Sequence, residues 1–124
     1  MAKTKILRKH IKEILSELAE TYYIDATENA KFPYICFEAR RIDLEGNKGT
    51  YILEVNIWNK GTNTSEIDDL MDDVEKKLNY YKHIDSKLQL SIYNGALRQY
   101  VEDTDKTIKR IREQFELQVY ERIG

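Results

Sequence analysis

The chain has 124 residues and a formal net charge of -2, with 34% of its residues charged and 41% hydrophobic. A chain of this length hides roughly two thirds of its unfolded surface, so one domain over residues 1–124 with a real core is expected. The near balance of charge gives no global drive toward nucleic acid or a membrane surface. No run approaches the roughly 20 apolar residues that cross a bilayer, and the basic N-terminus lacks the apolar segment of a signal peptide.

That polar composition would suit a disordered chain if its apolar residues were not so regularly spaced. Residues 3–22 predict an amphipathic helix. Leu7, Ile11, Ile14, Leu15, Leu18 and Tyr22 recur at spacings of three and four and form one stripe. The stretch 25–33 is polar and ends in Pro33, which opposes a continued helix. Residues 34–42, YICFEARRI, are rich in aromatic and β-branched types and predict a strand. Cys36 lies in it. As the single cysteine it permits no internal disulfide, fits a reducing compartment, and is expected to serve as a small buried hydrophobe.

DLEGNKG, 43–49, carries two glycines and an asparagine and predicts a reversal. The clearest strand follows. Tyr51, Leu53, Val55 and Ile57 alternate with Thr50, Ile52, Glu54, Asn56 and Trp58, the mark of a sheet with one face on a core. Trp58 ends that strand on its outer face, as a partial core residue or an interface anchor. After the loop NKGTNTS, Ser65 is the expected N-cap, with Asp68 three residues on. Ile67, Leu70, Met71, Val74 and Leu78 then predict a helix over about 66–79.

YYKHIDSK, 80–87, is expected to return the chain to the sheet. Residues 88–103 predict a strand interrupted or bulged at Asn94-Gly95. Residues 107–122 predict a long last strand. Ile111, Phe115, Leu117 and Val119 take one face, and Arg110, Arg112, Gln114, Glu116 and Gln118 the other. The expected fold is therefore α+β: a mainly antiparallel sheet of about four strands packed with two helices, in the order α-β-β-α-β-β.

Few motifs carry chemistry. Glu66, Asp68, Asp69, Asp72, Asp73 and Glu75 form an acidic run without the alternation or bend glycine of an EF-hand. A solvated helix face, with acids at the positive end of the dipole, is the expected role. His10 and His83 lie in different segments and are expected at the surface or in helix packing. No glycine-rich phosphate loop, nucleophile elbow or zinc spacing occurs, so catalytic, cofactor-binding and metal residues are all expected to be none. Two basic patches remain: Lys3, Lys5, Arg8, Lys9 and Lys12, and then Lys106, Lys109, Arg110 and Arg112.

In the order and character of its segments the chain resembles the tail terminator (tail completion, head-tail joining) proteins of long-tailed, non-contractile bacteriophages. The helix ILRKHIKEILSEL carries the resemblance, with the strand PYICFEARRI and the strand-loop-helix YILEVNIWNKGTNTSEIDDLMDDVEKKL. The last segment, QYVEDTDKTIKRIREQFELQVYER, completes it. The resemblance implies a structural phage or prophage protein with no enzyme activity and no cofactor. It implies a ring, usually hexameric, that caps the head-proximal end of the tail tube, stops its polymerisation and docks the head connector.

The implied partners are further copies of the chain, the tail tube protein and the head-tail connector, with no membrane and with DNA only passing through a ring lumen. The implied location is the virion tail or neck, and the bacterial host cytoplasm during assembly. Trp58, Asn59, Lys60, Lys109, Arg110 and Arg112 are the candidate contacts to a neighbouring subunit or the tube. The alternatives are another neck or head-tail joining protein, and a small α+β nucleic-acid-binding module.

Overall fold

The computed structural model describes residues 3–61 and 63–120. Nine elements follow in chain order: α1 (Lys3–Ser16), β1 (Glu20–Tyr23), β2 (Tyr34–Glu45), β3 (Lys48–Lys60), α2 (Ser65–Leu78), β4 (Lys82–Ile84), β5 (Gln89–Ile92), β6 (Ala96–Val101) and β7 (Ile108–Tyr120). The sheet runs β1-β2-β3-β7-β5-β4, and β6 pairs with β7 off that path.

This overturns the expected sheet of about four strands in the order α-β-β-α-β-β. Among the described residues there are seven strands in a mixed, curled half-barrel, with β1 parallel to β2 and the other pairings antiparallel. The extra strands are the short ones. At three to six residues, β1, β4 and β6 are too brief to show an alternation, and each owes its extended form to hydrogen bonds from a longer neighbour.

The first predicted helix also ends early. Leu18 and Tyr22 continue its stripe, but α1 stops at Ser16 and closes with tight bonds such as Leu18 N to Leu15 O at 2.9 Å. ETYY then pairs with β2, in keeping with the β preference of its threonine and tyrosines. The predicted strand at 88–103 is two strands, β5 and β6, lying end to end along one edge of β7.

β2 and β3 meet in a tight turn in which Glu45 faces Lys48. Gly46 holds φ 60 at its first position, where a side chain would be strained. β2 bulges between Arg41 and Asp43 on the way to that turn.

Both helices cover one face of the sheet. Leu7, Ile11 and Leu15 of α1 join Ile67, Met71, Val74 and Leu78 of α2 on the odd-numbered side chains of β2, β3 and β7, in one core. The predicted faces of 51–57 and 111–119 are buried as the alternation requires. Glu113, on that same face, is completely buried among them. The cap of α2 falls one residue earlier than expected. Thr64 occupies it without a side-chain capping bond, while Ser65, already helical, bonds Asn63 Oδ1.

Candidate functional site

The even-numbered side chains of β2, β3 and β7 form the opposite, helix-free face. Cross-strand register decides which of them meet. Trp58 stands opposite both Tyr34 and Arg110, and Asn56 opposite Arg112. The Tyr34 and Trp58 rings stack at 5.5 Å, and the Arg110 guanidinium lies 4.5 Å from the Trp58 ring centre. Arg110 donates from Nε and Nη2 to Asn56 Oδ1 at 3.1 and 2.9 Å. Asn56 Nδ2 reaches Glu54 Oε2 at 3.4 Å, and Glu54 faces Arg112 Nη1 at 3.6 Å. The result is one aromatic-to-polar ladder across three strands.

Each predicted contact residue can now be placed. Trp58, Arg110 and Arg112 belong to the ladder. Asn59 and Lys109 are paired across the strands at its end, and Lys60, opposite Ile108, is exposed. Asn59 Nδ2 donates to Glu66 Oε2 at 3.1 Å, and Lys109 Nζ donates to the Lys106 carbonyl at 3.0 Å. All six therefore lie at one end of the β3–β7 pair. Arg110 and Arg112 are engaged inside the chain, which leaves them poorly placed to grip a phosphate backbone. Arg110→Ala should cost about 2 kcal/mol, since it strips a buried amide of its partner and uncovers Trp58. Urea unfolding checks this.

Beside the ladder is a depression of about 270 Å³ whose lining includes Ile24, Asp25, Cys36, Glu54 and Trp58. Ile24 holds φ 67 at its rim, a backbone region that β-branched residues rarely adopt. The Cys36 thiol is buried, and desolvation pushes it up to about 11. It is expected to resist alkylation by iodoacetamide at pH 7.5 in the folded protein and to react once urea unfolds it, with mass spectrometry as the readout.

On the helix-covered side, a second cluster escaped the sequence. Arg98 of β6 reaches Glu113 Oε1 at 2.7 Å, Asp72 Oδ1 at 2.9 Å and Glu75 Oε2 at 3.1 Å. Its signal was the period itself, which puts Glu113 between Ile111 and Phe115 on the core face. Burial first, and then the neighbouring Glu75 carboxyl, push the Glu113 carboxyl up to about 7 against the pull of Arg98. The acidic run is thus only partly a solvated face. Asp72 and Glu75 hold Arg98, and Asp68 accepts from the Tyr100 hydroxyl at 2.7 Å. Glu66, Asp69 and Asp73 are exposed.

The two histidines come together despite their distance in sequence. Their rings lie 4.1 Å apart, His10 Nε2 bonds Tyr81 Oη at 2.9 Å, and His83 Nε2 bonds Asp85 Oδ2 at 2.8 Å. Burial, then the charge of His83, lowers the His10 pKa. Among the described residues no group of three or more His, Cys, Asp or Glu is placed to hold a metal ion.

No protein-family model matches the sequence, and no curated protein matches it. Solved structures do. The chain is similar to one in the virion of a native gene transfer agent (GTA) particle, with a TM-score of 0.67 at 11% identity, over 93% of this chain and 90% of that one. It is also similar to a second solved protein, whose name states no function, with a TM-score of 0.71 at 10% identity over 100% and 99% of the two chains. At such identities the likeness is one of fold, and the fold is one used by a chain of a virion particle.

Proposed function

We propose that this chain is a structural protein of a phage or prophage particle, a tail terminator. In this reading it forms a ring that caps the head-proximal end of the tail tube, stops tube growth and docks the head connector. The observation that carries the reading is the end-to-end likeness to a chain of a virion particle. The resemblance of its segments to tail terminators narrows the reading to that role. The helix-free face supports it further. A half-buried tryptophan held between Tyr34 and Arg110 is a rigid aromatic anchor of the kind enriched at binding hot spots. Trp58, Asn59, Lys60, Lys109, Arg110 and Arg112 would meet the tube protein or a neighbouring subunit. Another neck or head-tail joining protein is the second reading, because the virion likeness does not specify a position along the particle.

Light scattering of the purified protein over a concentration series, with negative-stain imaging of any large species, tests the ring. A closed ring of one size is expected. Open filaments, or a monomer at every concentration, would overturn free ring formation.

A further inference from the structure

Among the described residues several strand edges lack a neighbour, at β1, at β4, at β2 beyond β1 and at β6, and the last two differ in charge. On one side β1 pairs only with Tyr34–Phe37 of β2, so the outer edge of β2 beyond them has no strand beside it among the described residues. Residues 40–47 there are all exposed, including Ile42 and Leu44 at 60% and 52%. Arg40 and Arg41 precede them. Next to this margin, over the β1–β2 pair, α1 lines a groove of about 500 Å³ with Lys5, Arg8, Lys9 and Lys12 above Tyr23 and Phe37.

On the other side β6 pairs, among the described residues, with β7 alone. Leu97 and Tyr100 are exposed on it at 65% and 58%. Glu102 and Asp103 follow, and the acidic face of α2 lies beside it through the Asp68–Tyr100 and Asp72–Arg98 contacts. Exposed apolar residues on an unpaired strand edge are a standing invitation to another chain.

We propose that copies of this chain join head to tail, the outer edge of β2 in one copy lying antiparallel along the outer edge of β6 in the next. The alignment follows from the residues. Antiparallel, Ile42 faces Val101 at the end of β6, and Arg41 and Arg40 fall beside Glu102 and Asp103 in the segment that follows it. Parallel, with Arg40 against Arg98 and Glu45 against Asp103, like charges meet. The helices select against symmetric pairs. Two β2 margins together would oppose two basic α1 faces, and two β6 margins two acidic α2 faces. A head-to-tail contact closes into a ring when its rotation permits. The inference deepens the ring reading by naming its lateral surfaces.

The test uses two charge-reversed chains, Arg40→Glu with Arg41→Glu, and Glu102→Lys with Asp103→Lys, weighed by sedimentation over a concentration series. Each alone should shift half-assembly to at least about tenfold higher concentration. An equimolar mixture should restore it, because each altered margin then meets its complement. That recovery also separates a lost contact from a lost fold. Wild-type assembly by either variant alone, a mixture that stays dissociated, or a wild-type chain that is monomeric throughout would overturn the proposal. An open or wrongly sized wild-type assembly that the variants abolish and the mixture restores would overturn the ring alone and leave this contact standing.

Discussion

Arg98→Ala is expected to destabilise the chain by about 3 kcal/mol at pH 8, because it leaves the buried carboxylate of Glu113 without its cation. The Arg98 side chain keeps 29% of its surface wet, so the loss belongs at the lower end for broken buried pairs. The pH dependence carries the diagnosis. Glu113 has a folded pKa of about 7, raised above the ordinary 4.5. A carboxyl raised in this way contributes stability that is fully present below the unfolded pKa. It is lost as pH rises through the folded one.

The wild-type melting temperature should therefore fall between about pH 4.5 and 7 through this group. In Arg98→Ala the fall should extend to higher pH, since the opposing cation is gone. Glu113→Gln should flatten it in either background and recover part of the Arg98→Ala loss. Calorimetry at pH 5, 6.5 and 8 reads all of these. An unchanged slope in Glu113→Gln would show that another group titrates there.

Gly95→Ala is expected to cost about 2–3 kcal/mol, by overpacking rather than by charge. A Cβ at position 95 would fall on Glu113 Oε2 and lie 2.9 Å from Phe115 Cε2. Glu113 has little room to yield, since Arg98 holds its other oxygen, and Phe115 is fully buried. The Gly95 amide also donates to Asn79 Oδ1 at 2.8 Å, so the backbone is held from the other side. Glu113→Ala should relieve part of the Gly95→Ala cost, whereas Glu113→Gln, of nearly the same shape, should not. Chemical denaturation of the single and double variants measures both. Equal relief by the two would mean that charge, and not volume, sets the cost.

These two residues show where sequence reasoning stops. Asn94-Gly95 reads as an interruption, and it is one, between β5 and β6. What demands the glycine is a carboxylate arriving from β7, 18 residues later, and no local pattern carries that. The candidate contact residues behave in the same way. Alternation puts Trp58, Arg110 and Arg112 on an outer face. Only the register of β3 against β7 sets Arg110 over Trp58 and onto Asn56. His10 and His83 were legible as two separate residues and became neighbours only when α1 met the segment around β4.

By itself, the sequence determined the buried face of β3 and β7, the stripe of α2, the β2–β3 reversal and the burial of Cys36. Each rests on a period of two or 3.6 residues, on glycine in a turn or on an apolar stretch, and these are local properties that side-chain chemistry sets directly. The tertiary structure alone decided the number and order of strands, the early end of α1, the three carboxylates around Arg98 and the open edges of β2 and β6. A strand of three or four residues has too few side chains to declare a period. Its hydrogen bonds, and the partners of every charge on it, come from segments that are distant in sequence and adjacent only in the fold.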